Sequence, residues 1–142
     1  MMKIHQVKGF TLIEILVVIA IAGILAAVAI PYYRDNVLKS HRSDGKAAIL
    51  DVAARQEKWY FQNQRYNGDI TDEDFYGTTS SPDGFYSLSI DRPCGGFSCF
   101  TIVATAAGTQ EADTECYKMS VTHQGSRRSE NSSGTETTDT CW

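Results

Sequence analysis

Six consecutive residues, Gly9-Phe10-Thr11-Leu12-Ile13-Glu14, hold the first chemistry in this sequence: one carboxylate, Glu14, set inside an apolar run from Phe10 to Ile30. On insertion scales an unpaired carboxylate at membrane depth costs about 2.5–3.5 kcal/mol, so Glu14 calls for a function or a partner. An amine would serve. Cutting the chain between Gly9 and Phe10 creates an α-amino group four residues before Glu14. Two such chains side by side could then pair amine with carboxylate.

The other reactive side chains lie far downstream. Cys94, Cys99, Cys116 and Cys141 all fall in the C-terminal third, and four cysteines allow three connectivities among which sequence does not choose. Zinc is the competing use of four thiols, but the spacings lack paired C-x₂-C knuckles. Asp69, Asp72, Glu73 and Asp74 form an acidic cluster without the alternating ligands and turn glycine of a calcium loop. It reads as a solvated acidic loop, with calcium as the alternative. His5, His41 and His123 are each isolated from any nucleophile, and neither a phosphate loop nor a metalloprotease helix is present. No enzyme, metal or cofactor is expected. Arg127-Arg128 is the one adjacent basic pair outside the leader and a possible DNA contact. Two arginines make few phosphate contacts, so binding through them alone would be weak and strongly salt-dependent.

These groups need elements to position them. At ~1.5 Å per residue the run from Phe10 to Ile30 is roughly 31 Å long as a helix, enough to cross a bilayer. A secretory signal peptide has a shorter apolar core followed by a small-residue cleavage site, whereas here the basic leader meets glycine before the apolar run begins. A plain anchor would have no use for Glu14. With the apolar run as anchor, the cysteine-bearing third lies across the membrane, where disulfides persist. Lys3 and Lys8 then fit an N-terminus that stays in the cytoplasm.

Beyond Pro31 the pattern becomes amphipathic. Leu38, Ile49, Val52, Ala53 and Tyr60 share one side of a helical wheel, interrupted by Arg42 and Gln56, with Asp35, Lys39, Asp44, Lys46, Asp51 and Lys58 in other directions. The expectation is one helix from Phe10 to about Gln62, with Gly23 and Pro31 as its weak points. Trp59-Tyr60-Phe61 reads as core packing at the helix end. Residues Asn63 to Gly84, rich in Asn, Gly, Asp, Ser and Thr, read as a long surface connection. Strands are expected at Phe85–Ile90, Phe100–Ala106 and Cys116–Thr122, joined as an antiparallel meander by turns near Cys94-Gly95-Gly96 and Ala107-Gly108. The tail from His123 to Asp139 would be floppy if free.

Of the 142 residues, ~110 remain for one small head once leader and membrane segment are set aside. The chain carries 13 basic and 17 acidic residues; without Lys3 and Lys8 the balance is 11 to 17, or −6. Such a head does not look like a general nucleic-acid binder.

Lys8-Gly9-Phe10-Thr11-Leu12-Ile13-Glu14 resembles the prepilin signal of type IV pilins and of the pseudopilins of type II secretion. Gly23, Pro31 and the stretch Ala26-Ala27-Val28-Ala29-Ile30-Pro31-Tyr32-Tyr33 match it further. The resemblance implies that a membrane peptidase cuts after Gly9 and methylates the new N-terminus at Phe10, and that Glu14 directs assembly. It implies a type IV pilin fold: a long N-terminal helix packed on an antiparallel sheet of three to four strands, closed by a C-terminal disulfide-bounded loop. It divides the chain into a cleaved leader at 1–9, a transmembrane and filament-core helix at 10–30, and an extracytoplasmic head at 31–142. In filaments of this family the segment between the equivalents of Gly23 and Pro31 can unwind.

The ending Glu115-Cys116-Tyr117-Lys118-Met119 through Gly125 to Cys141-Trp142, and the stretch Asp51 to Tyr60, resemble type IVa minor pilins. By that resemblance the bonds are Cys116–Cys141 and Cys94–Cys99. In the chain-entropy picture they stabilise by roughly 3.5 and roughly 2 kcal/mol. The implied role is a structural subunit of a type IV pilus, more a minor than a major one, serving twitching, adhesion or DNA uptake. Its implied partners are other pilins, the prepilin peptidase and the assembly platform, with residence in the inner membrane and then in an extracellular pilus. Two alternatives stand beside it: a type II secretion pseudopilin, whose head generally lacks the terminal disulfide loop, and a pilus-borne module that binds DNA or a host surface.

Overall fold

The computed structural model describes residues 9–142; the leader residues Lys3, His5 and Lys8 lie outside the described residues. The chain divides into two compact units between Asn36 and Val37. Helix α1 spans Leu12–Asn63 and contains both Gly23 and Pro31 without a break at either. Every large apolar side chain from Phe10 to Ile30 is exposed, and the apolar part of α1 is long enough to cross a membrane.

In the second unit α1 is followed by four strands: β1 (Tyr86–Asp91), β2 (Thr101–Ala106), β3 (Lys118–Thr122) and β4 (Arg127–Glu130). A 3-10 turn at Gly108–Ala112 separates β2 from β3, and the short helix α2 (Thr138–Cys141) ends the chain. The sheet is an antiparallel meander in the order β1-β2-β3-β4. Its register aligns Leu88, Ala104 and Met119 in one row and Ile90, Ile102 and Val121 in the next. Strand side chains alternate faces, so these rows share one face. They form the core with Ala48, Ile49 and Val52 of α1. Contact is close at Gly45, where an added Cβ would stand 2.8 Å from both the Met119 terminal methyl and the Tyr86 ring.

Several expectations need correction. Arg42 and Gln56 do not interrupt the apolar face; both are buried on it, while Tyr60 is partly exposed. Gln56 is accommodated because its side chain pairs twice with the Asn67 backbone, accepting from the N–H and donating to the carbonyl at 2.8 Å each. A buried amide satisfied in this way avoids the cost of an unpaired polar group. The segment after α1 is not a surface connection throughout, since Tyr66, Asn67, Ile70, Phe75 and Ser81 are buried in it. Of the three aromatics at the helix end, Trp59 meets Phe75 edge-on and Tyr60 lies on Tyr66, but Phe61 is 83% exposed and takes no part in the core.

The tail is pinned by Cys116–Cys141, as the resemblance implied. It supplies a fourth strand, and a strap then covers that strand's outer edge. Asn131 N–H donates to the Thr135 carbonyl, Thr137 N–H to the Ser129 carbonyl, and Ser129 N–H to Thr138 Oγ1. An edge strand with its backbone groups taken is a poor template for pairing with another chain.

Candidate functional site

At the N-terminus Thr11 begins the helix. Its side-chain oxygen accepts the Glu14 N–H at 3.3 Å, and its carbonyl accepts the Ile15 N–H. Thr11-x-x-Glu14 is thus the threonine-and-glutamate spacing of a capping box, and Glu14 stands in the first turn, where the helix dipole favours a negative charge. Gly9 and Phe10 precede the helix and are exposed.

Both disulfides are formed, Cys94–Cys99 and Cys116–Cys141, with Cα–Cα distances of 6.0 and 5.7 Å. The longer loop is braced at its base by a buried polar cluster. Arg42 donates to both Asp113 oxygens at 2.7 and 2.9 Å and to Glu115 at 2.8 Å. Burial alone would lower the Arg42 pKa, but its hydrogen bonds to the Asp113 and Glu115 carboxylates, with their charge, outweigh it and leave it raised. Gln110 donates to the Leu38 carbonyl, the Tyr86 hydroxyl and Asp113, and contacts His41 at 3.1 Å. Burial pushes the Tyr86 hydroxyl up to about 12, against the opposing effect of the Gln110 bond. His41 lies flat against Phe85 and His123 edge-on to Phe100, so both are packing residues.

Arg127 and Arg128 are neighbours in sequence only. Arg127 is registered with Val121, on the helix-facing side, and Arg128 with Ser120, on the opposite side. Arg128 pairs with Glu130 at 3.1 Å. Arg127 lies over the Trp142 ring at 5.1 Å, whose indole N–H donates to the Arg128 carbonyl. Lys46, lowered by burial and then by Arg42 and Arg127, shares that side. The pair is part of a strand and cannot act as one two-pronged contact.

A different group of residues, passed over as a turn in the sequence, comes together around the short disulfide. Phe97 is 43% exposed on the Cys94–Cys99 loop and has two guanidiniums near its ring, Arg65 at 5.5 Å and Arg92 at 5.0 Å from its centre. Among the described residues neither arginine pairs with a carboxylate. The loop is anchored from outside by the Tyr66 N–H, which donates to the Phe97 carbonyl at 3.0 Å. The signal was legible as Arg92 just ahead of Cys94, and Phe97 beside Gly95-Gly96 between the two cysteines. What could not be read was that Arg65, two residues past the end of α1, joins them. Two unpaired cations about an exposed ring in an acidic head can hold a phosphate backbone and stack a base.

In the acidic cluster each carboxylate with a described bond serves a local turn. Asp69 accepts from the Thr71 hydroxyl and N–H, which hold its carboxyl below the usual range, and Asp72 accepts from Asn67 and the Asp74 N–H.

Comparison with known proteins agrees with this architecture. Residues 4–30 match the prokaryotic N-terminal methylation motif, and residues 31–120 match the family described as type IV minor pilin ComP, DNA uptake sequence receptor. Fimbrial protein Q of Moraxella bovis is 39% identical over 112 residues, covering 74% of this chain and 67% of that one. Fimbrial protein EcpC of Eikenella corrodens is 62% identical over 63 residues, covering 39% of this chain and 41% of its own length. Arg65, Arg92 and Phe97 lie within the matched residues 31–120, whereas Arg127 and Arg128 lie beyond them. A methylation-motif N-terminus together with a head of helix and four-stranded meander is the make-up of a structural pilus subunit, and the chain belongs to the ComP family of type IV minor pilins.

Proposed function

We propose that this chain is a minor pilin that presents a DNA-receptor surface on a type IV pilus, and that Arg65, Arg92 and Phe97 are the core of that surface. The observation that carries the reading is the exposed Phe97 ring with two guanidiniums beside it, neither paired with a carboxylate among the described residues. Its phosphate contacts come from the arginines and its base contact from the ring. Arg127 and Lys46 form a secondary basic edge. The chain acts as a structural and binding subunit, not as an enzyme.

Before assembly the chain is inserted in the inner membrane through residues 10–30. The prepilin peptidase cuts after Gly9 and methylates Phe10, and the assembly platform then moves the subunit into a filament where Glu14 meets the amine of a neighbour. Gly23 and Pro31 are the places where the helix gives way on assembly. Glu14→Ala leaves processing intact and blocks filament entry, and normal incorporation of that variant would sink the amine-pairing idea. Gly9→Val stops cleavage, read as an unprocessed mass.

The deciding experiment is duplex DNA binding by the full chain in detergent micelles, against the variant Arg65→Gln with Arg92→Gln. Loss of affinity in the double variant, together with a shallower salt dependence, supports the reading. Equal binding by both proteins removes the surface from consideration.

A further inference from the structure

Beside Phe97 lies a small cleft of about 120 Å³. Three of its walls are aromatic, from Trp59, Tyr66 and Phe97, and its polar rim comes from Arg65, Asn67 and Asp72. We propose that this cleft receives a single nucleobase turned out of the DNA helix, and that the base it accepts carries an exocyclic amine. The inference rests on the DNA-receptor reading given above and adds to it the form in which DNA is held.

Size and chemistry both favour a flat ring. The cleft is smaller than the cavity of about 150 Å³ that holds benzene, but it is open on one side, so a base enters edge-first with part of its ring and its sugar outside. A base still in the duplex stack cannot enter a concavity walled by side chains. Turning it out loses stacking within the DNA, and three aromatic walls return stacking in kind.

The rim is set before any ligand arrives. Asn67 donates one amide hydrogen to Asp72 at 3.0 Å, and its oxygen accepts the Asp69 N–H at 2.7 Å. The other Asp72 oxygen accepts the Asp74 N–H at 3.0 Å. These bonds fix both side chains and leave lone pairs on Asp72 and one amide hydrogen on Asn67. A carboxylate in that place accepts from the amine of adenine, cytosine or guanine. Thymine offers a carbonyl there instead.

A phosphate site adjoins the cleft. The Arg92 guanidinium lies against Gly68, so close that a Cβ there would stand 2.5 Å from its Nη1. Gly68 lines the cleft, so the cation and the base site are next to each other, the arrangement one nucleotide requires.

The test uses the full chain in detergent micelles and four duplexes identical except at one central position: fully paired, an unpaired adenine, an unpaired thymine, and an unpaired abasic residue. An unpaired base removes the cost of extrusion, and the abasic residue reports flexibility without a base. The adenine bulge is expected to bind about tenfold tighter than the abasic one, with thymine between them. That gain disappears in Phe97→Ala and in Trp59→Ala, each of which removes an aromatic wall of the cleft. Equal affinity for adenine and abasic bulges overturns the inference while leaving DNA binding itself in place. Failure to bind any of the four duplexes overturns the DNA-receptor reading and this inference with it.

Discussion

Two disulfides close two loops in this head, and they do opposite things. The Cys94–Cys99 loop holds few buried side chains and turns Phe97 outward beside two arginines. The Cys116–Cys141 loop contains β3, β4 and α2, and so much of the sheet that opening it would release part of the fold. It is braced a second time at its base, where Arg42 of α1 grips Asp113 and Glu115 just ahead of Cys116. The same covalent bond thus presents a surface in one place and pins structure in the other. The difference lies in what each loop encloses.

The sharpest break in that contrast should come from Arg42. Arg42→Leu leaves the buried Asp113 carboxylate without its cation, and a loss of about 3–5 kcal/mol is expected in urea unfolding of the full chain. A loss well under 1 kcal/mol would mean the brace is dispensable. Replacing Cys116 and Cys141 together by Ser should cost about 3.5 kcal/mol, and replacing Cys94 and Cys99 about 2 kcal/mol. Affinity for DNA should rank the other way, falling more for the short loop than for the long one under conditions where both proteins remain folded. If the two pairs affect DNA binding equally, the division of labour is wrong.

Salt refines the comparison at smaller scale. Arg65→Gln and Arg92→Gln should each reduce the slope of log affinity against log salt by about 1, while Arg128→Gln, already paired with Glu130, should leave it nearly unchanged. The smallest effect concerns Tyr86. Its hydroxyl titrates near 10 when unfolded and near 12 when folded. The folded state therefore keeps the proton longer, and this group's stabilisation is full below pH 10 and fades as pH rises toward 12. Tyr86→Phe should cost about 1 kcal/mol at neutral pH through the lost Gln110 bond. In unfolding measured from pH 9 to pH 12 that variant should show a shallower alkaline decline than the parent.

Regular periodicity made most elements legible. The helix begins at Leu12 and ends at Asn63, close to the expected Phe10 and Gln62, because a long apolar run followed by a 3.6-residue pattern has little competition. Three strands were readable from alternation. β4 was not, since Arg-Arg-Ser-Glu has no apolar residue to alternate, and only its pairing with β3 and the strap across its edge make it a strand. Arg42 and Gln56 looked like faults in an apolar stripe because their partners, Asp113 and the Asn67 backbone, lie 71 and 11 residues away.

The sequence by itself determined the anchor, the methylation-motif start, Glu14 within the first helical turn and the order of the main elements. These depend on local composition and spacing, which act between residues a few places apart. Tertiary structure decided where charge could act. It placed Arg127 and Arg128 on opposite faces of one strand, since adjacent strand residues point apart. It also brought Arg65, just after α1, and Arg92, just after β1, together beside Phe97. Whether two cations act together depends on distance in space, and that distance is set by the packing of the whole head.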